Sequence, residues 1–207
     1  MKTSSLLGGA VEAFEQFVAL AMEGEGLVVS GALKFPVRLQ TRKAAYAEFQ
    51  THGFEVDLVG ARHDRLVLAT VKSFFGSRGV VADEVTGAHP TNSGRYAMLN
   101  NLAVRTALVQ GAANRFGFDE PDVELRLYVG RFASGHEERV RSWCAAQELP
   151  SGPIRVVGAG EVVTHVRDIA RAKQYRDNPV LAALKVLEAT GSLTQVSSGH
   201  LSSLEKL

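Results

Sequence analysis

Apolar positions along the chain switch between a helical and a strand period, and the switches divide it into elements. Over residues 11–22, Val11, Phe14, Phe17, Val18, Ala21 and Met22 recur at mostly three- and four-residue spacing, which predicts an amphipathic helix ended by Gly24 and Gly26. Residues 27–39 carry β-branched side chains interrupted by Gly31 and Pro36, the pattern of a first strand or a ragged hairpin. Residues 42–50 read as a short polar link that a helical turn would also fit. Phe54, Val56 and Leu58 then alternate with Glu55, Asp57 and Val59. After a turn at 60–64 an apolar run follows over 66–74, so two adjacent strands are predicted, the second deeply buried.

The second half alternates more regularly. Residues 80–91 read as loop or short helix, and 98–116 as a helix stopped by Gly117. Strands are expected at 123–129 and 154–157, with helices at 137–147 and 161–173. That alternation predicts an α/β fold, a mixed sheet with helices on its faces. Asn178 and Pro179 open a last helix through Glu188, with Asn178 as its cap. Val180, Leu181, Leu184, Val186 and Leu187 give this helix a broad apolar face, which either closes the core or pairs with a second copy. The serine-rich tail after Gly191 is expected to fray. The expected organisation is one α/β domain over 1–177, a C-terminal helix over 178–190 and a tail over 191–207, with no internal repeat.

Composition narrows the class. With 207 residues and 45% hydrophobic side chains, the chain can bury a core unaided, which excludes wholesale disorder or coiled coil. Cys144 is the only cysteine, so an intrachain disulfide and any multi-cysteine metal site are excluded; a buried thiol in a helix is expected. No apolar run near residue 1 reaches the roughly 7 residues of a signal-peptide core. A cytoplasmic location without a membrane partner is therefore expected. The net charge of +1 provides no global field for nucleic acid, but its distribution is uneven. Residues 34–78 hold 8 basic side chains against 4 acidic ones, whereas the first 33 residues are net acidic. Aromatic residues interleave the basic segment sparsely, so a duplex backbone is the expected nucleic-acid partner, not a stacked single strand.

One stretch carries most of the candidate chemistry. Asp57 lies near the end of one predicted strand and Lys72 on the next, so a short hairpin can bring them to one sheet edge. A lysine among Leu66, Val67, Leu68, Val71, Phe74 and Phe75 is costly unless it is paired or working. Directly after it, Gly76-Ser77-Arg78-Gly79 offers backbone N–H groups and a guanidinium to a phosphate, or forms an ordinary turn. Gly158 and Gly160 precede a helix, where an anion would be held or a tight turn made. The six histidines show no ligand spacing, and no serine sits in a nucleophile elbow.

The order of Phe14-Glu15 on a helix, Asp57 on a strand and Lys72 on the next strand resembles the PD-(D/E)XK nuclease superfamily, particularly its Mrr-like restriction-endonuclease branch. The resemblance runs through the strand, Gly130-Arg131-Phe132 turn, helix, strand and helix that follow, over residues 11–173. It implies a restriction-endonuclease-like mixed sheet and a magnesium- or manganese-dependent deoxyribonuclease, with DNA as partner and room for a homodimer. Asp57, Glu15 and the Val71 carbonyl would hold the metal, with Asp57, Lys72, Thr70 and Glu15 forming the catalytic set. Arg42, Lys43, Ser77 and Arg78 would contact DNA. Thr70 stands where the family has Glu or Gln, which removes one carboxylate; Glu55, Asp64 and Asp83 are candidate replacements. Against this, Asp57 and Lys72 also fit a structural ion pair, Glu15 a solvated helix face and Thr70 a plain strand residue. The competing functions are a weakened relative that binds nucleic acid without cutting, and a nucleotide-sensing scaffold built on the Gly158–Gly160 turn.

Overall fold

A computed structural model of the chain describes residues 13–40, 49–172 and 178–192. Five strands form one mixed sheet in chain order: β1 (Val28–Gln40), β2 (Phe49–Arg62), β3 (Arg65–Lys72), β4 (Val123–Val129) and β5 (Arg155–Gly158). The first three pair antiparallel, while β3, β4 and β5 run parallel. Helices α1 (Ala13–Gly24), α6 (Ala159–Arg171) and α7 (Pro179–Ala189) pack on one face. The other face carries α2 (Ala82–Thr86), α3 (Ala97–Asn100), α4 (Leu102–Phe116) and α5 (Glu137–Ala145). The α/β class expected from the strand and helix periods is the one found.

The central strand explains its own sequence. Leu66 and Leu68 of β3 pack into the α4 layer, and Val67, Ala69 and Val71 into the α1–α6 layer. A strand covered on both faces needs apolar residues at both parities, which is why this run lacks alternation. Gly60, expected in a turn, is instead within β2: a Cβ there would come within 2.7 Å of Met22 Cε. The glycine lets α1 approach the sheet, and the actual turn is at His63 and Asp64.

Three other expectations change in detail. Residues 27–39 form a single edge strand, not a hairpin, paired along its length with β2. The helix expected over 98–116 is broken at Asn101, whose side chain accepts a hydrogen bond from Val104 N at 3.2 Å and caps α4. Of the polar link, residues 42–48 lie outside the described residues and 49–50 already belong to β2; the tail beyond 192 also lies outside them. At the C-terminal side Asn178 caps α7 by accepting from Val180 N at 2.9 Å. Leu181 and Leu184 close the core, whereas Val186 and Leu187 remain exposed.

Cys144 and Arg126 are among the buried side chains in these layers. Cys144 is buried in the α4 layer, and burial pushes its thiol up to about 12. Arg126 of β4 is fully buried beneath the end of α1. It makes paired hydrogen bonds to Glu124 at 2.9 and 3.0 Å, one to Glu25 at 2.9 Å and one to the Tyr128 hydroxyl at 3.0 Å. Among the described residues, no helix is long and apolar enough to cross a membrane.

Candidate active site

The site begins where β2 and β3 part. Their pairing runs from Arg62↔Arg65 to Leu58↔Ala69 and stops there, although β3 continues to Lys72 against β4. Residues 70–72 thus present an open edge on the β2 side. At the same level β2 breaks its alternation: Val56 and Val59, three residues apart, share the α4 layer, while Leu58 packs in the other. A regular strand would place Val56 and Val59 on opposite faces. The matching position on β1 is Ala32, which has φ +53° and is skipped in the ladder. Local breaks of this kind redirect a side chain, and here the residue redirected is Asp57.

The Asp57 carboxylate takes over the missing ladder bond. Its Oδ2 accepts hydrogen bonds from Val71 N at 2.6 Å and Thr70 Oγ1 at 2.9 Å, and Lys72 Nζ lies 3.4 Å away. Among the described residues no hydrogen bond reaches Oδ1. In extended backbone the N–H and C=O of one residue point to the same edge, so the Val71 carbonyl also faces this opening. Lys72 faces the other way along the backbone, its carbonyl accepting from Gly130 N at 2.8 Å.

Asp57, Lys72 and Val71 line an open cleft of about 670 Å³, whose other walls include Glu15 from the first turn of α1, Phe75 and Ser77 from the loop after β3, and Arg95. Lys72 and Asp57 keep only 18% and 24% side-chain exposure, so their charges interact with little intervening water. Phe74, in the same wall, has φ +45°, a conformation costly for a bulky residue and concentrated at functional sites.

No family model matches the chain, and no curated protein does. Among solved structures, the chain is similar to the crystal structure of a protein of unknown function, AF1548. The two share 14% identity with a TM-score of 0.39, over 88% of this chain and 79% of that one.

The cleft gathers Glu15, Asp57, Val71, Lys72 and Ser77 of the expected residues. Thr70 is placed differently from expectation: it is buried and outside the cleft lining, and its hydroxyl donates to Asp57. Its place is therefore to hold the carboxylate. Arg78 is also absent from the lining, with its guanidinium 4.0 Å from Glu84. Arg42 and Lys43 lie outside the described residues. None of the three candidate replacement acids reaches the cleft: Glu55 pairs with Lys34, Asp64 with Arg62 and Asp83 with Arg139. The break at Asp57 explains Glu55, because spacing by two no longer places it on the same face.

Part of the basic excess of the middle segment is also committed, since Lys34, Arg62 and Arg65 pair with carboxylates inside the segment and Arg78 with Glu84 beyond it. Ser77 N donates to the Phe74 carbonyl at 3.2 Å, so the glycine-rich loop partly satisfies its own backbone. At the Gly158 turn, the Glu161 carboxylate accepts Gly158 N at 2.7 Å and Arg141 binds the same oxygen at 2.7 Å. The start of α6 therefore already has its anion, and the turn reading accounts for the two glycines.

Phe75 and Arg95 were not singled out by sequence. Phe75 followed the apolar run and passed for strand interior, but β3 ends at Lys72 and Phe75 is 56% exposed. Arg95 lies beyond the basic segment, on a 3-10 turn over Ser93–Tyr96 that carries no periodic signal.

Proposed function

We propose that the protein is a divalent-metal-dependent hydrolase of DNA phosphodiester bonds, related to the PD-(D/E)XK nucleases that its motif order resembles. One observation carries this reading: Asp57 and Lys72 meet at the open edge of β3 and share a cleft with Glu15. A purely structural ion pair has no need of a 670 Å³ cleft on which both partners open.

The donor set fits a hard cation of the magnesium type. It contains oxygen alone: Asp57 Oδ1, the Glu15 carboxylate and the Val71 carbonyl. No cluster of three His, Cys, Asp or Glu side chains stands ready among the described residues, but magnesium often takes one or two carboxylates and fills its shell with water and phosphate oxygens. Bound there, the ion would polarise the scissile phosphate and lower the pKa of an attacking water. The chain's own contribution is positioning and charge. Thr70 and the Val71 N–H fix Asp57 through one oxygen and leave the other for coordination. Lys72 sets a positive charge where negative charge accumulates on the phosphate oxygens.

The shortage of carboxylates favours one competing reading, a relative that binds DNA without cutting it. Supercoiled plasmid and a single-stranded oligonucleotide, each incubated with the protein in Mg2+, Mn2+ or EDTA, separate the two. Nicking or shortening in metal and none in EDTA is expected. Salt-sensitive binding with no cleavage in any metal would favour the non-cutting reading, and absence of both would contradict each.

A further inference from the structure

Phe75 is an exposed aromatic ring held in place. Its ring meets that of Phe14 edge to face, with centroids 5.3 Å apart and planes at 90°. Its tip lies against Gly130: a Cβ at 130 would come within 2.9 Å of Phe75 Cζ and 2.2 Å of the Ser73 carbonyl. The loop is pinned at its far end too. Gly79 has φ +97° and packs on the Phe132 backbone, and Val80 bonds Arg131 and Ala133 at 2.8 and 2.9 Å. Despite these contacts, more than half of Phe75 remains exposed, at the wall of the cleft that holds Lys72 and Asp57.

Arg95 lines the same cleft and has no ion pair or side-chain hydrogen bond among the described residues. Its turn is nevertheless fixed. Asn92 donates to the buried Glu84 carboxylate at 3.0 Å, and Asn100 donates to the Ser93 carbonyl at 3.0 Å. A rigid aromatic face and an uncommitted guanidinium thus flank the candidate chemistry.

We infer that the cleft takes an unpaired DNA strand, with a base stacked on Phe75 and an adjacent phosphate at Arg95. A duplex shows proteins its phosphates and base edges; the face of a base is available only where the strand is single, frayed or flapped. This inference rests on the proposed hydrolase reading and names its substrate class. It reverses the duplex preference expected from the sparse aromatics of the basic segment, because one pre-positioned ring at the site suffices for stacking.

Anisotropy with a labelled 12-nucleotide strand, and with the same sequence as a blunt, hairpin-closed duplex, tests it in EDTA, where no cleavage intervenes. The wild-type protein is expected to bind the single strand roughly tenfold or more tightly than the duplex, and Phe75→Ala to remove that preference. Phe75→Trp is expected to keep it and to show quenching on strand addition, with Trp143 alone in the wild type as the control. Arg95→Ala is expected to weaken binding and to flatten the salt dependence by about one phosphate contact. Equal or tighter duplex binding, or a preference that survives Phe75→Ala, would overturn the inference. If metal-dependent duplex cleavage persists in that case, the hydrolase reading stands alone; if neither form of DNA binds, both fall.

Discussion

Lys72→Met is expected to slow metal-dependent DNA hydrolysis by about 1000-fold, near 4 kcal/mol of barrier, while the protein stays folded. The rate falls because the ammonium is the charged donor on the Asp57 side of the cleft, 3.4 Å from the carboxylate, where negative charge on the phosphate must be offset. The fold survives because Asp57 keeps its two shorter hydrogen bonds, from Val71 N and Thr70 Oγ1, and methionine fills the volume of the lysine stem. Asp57→Asn makes the complementary change. An amide oxygen still accepts from Val71 N, but the anionic donor to the metal is lost, so a comparable rate loss is expected. Single-turnover rates at saturating metal, beside circular dichroism of each variant, give the comparison. Rates unchanged in both variants would exclude the pair from the chemistry and leave it as a structural link between β2 and β3.

The largest effect on stability is expected at Arg126→Met, a loss of about 3 kcal/mol or more. The guanidinium is fully buried; burial disfavours its charge, but the hydrogen bonds it donates to Glu124 and the proximity of Tyr128 outweigh that and its pKa is raised. Removing it leaves Glu25 and Glu124 with only their longer ion pairs, to Arg155 at 3.8 Å and Arg65 at 3.9 Å, and takes the Arg126 donor from the Tyr128 hydroxyl at the junction of α1 and β4. Glu25 and Glu124 retain 27% and 20% side-chain exposure and can partly rehydrate, which keeps the loss toward the lower end for a broken buried pair. For a chain of this size, that loss lowers Tm by roughly 6 to 12 °C. Adding Glu124→Leu should recover part of it, since a largely buried carboxylate that keeps only the 3.9 Å pair with Arg65 is replaced by an apolar side chain. Urea unfolding with the m-value monitored checks both variants. A loss within 0.5 kcal/mol, the usual range for an uncoupled surface substitution, would show that the network contributes little.

Lys72 was legible in the sequence because a charged residue in a strand apolar at both parities stands out against its desolvation cost, and Asp57 because a short hairpin brings the preceding strand beside it. The sheet and its helical faces were legible from the periods alone. The details around the site were hidden by the feature that creates it. Phe54, Val56 and Leu58 read as one face of a regular strand, yet the break at Asp57 sends Leu58 to the opposite layer from Val56. Residue spacing places Glu55 on the face of Asp57 only where no such break intervenes, and it gives no hint that Thr70 would reach Asp57. Gly60 misled in a related way, because a glycine chosen for close helix packing looks the same in sequence as one chosen for a turn. Phe75 comes from a loop and Arg95 from a 3-10 turn, where side-chain direction depends on tertiary contacts, such as those of Phe75 with Phe14 and Gly130, and not on any period.

The central claim, that this cleft holds a hydrolytic metal, is tested most directly by anomalous diffraction from crystals grown or soaked in Mn2+. The account predicts one anomalous peak in the cleft, within about 2 Å of an Asp57 oxygen and near the Val71 carbonyl and Glu15, and its loss in Asp57→Asn crystals. An empty cleft at millimolar Mn2+, or a peak that persists without the Asp57 carboxylate, would contradict it.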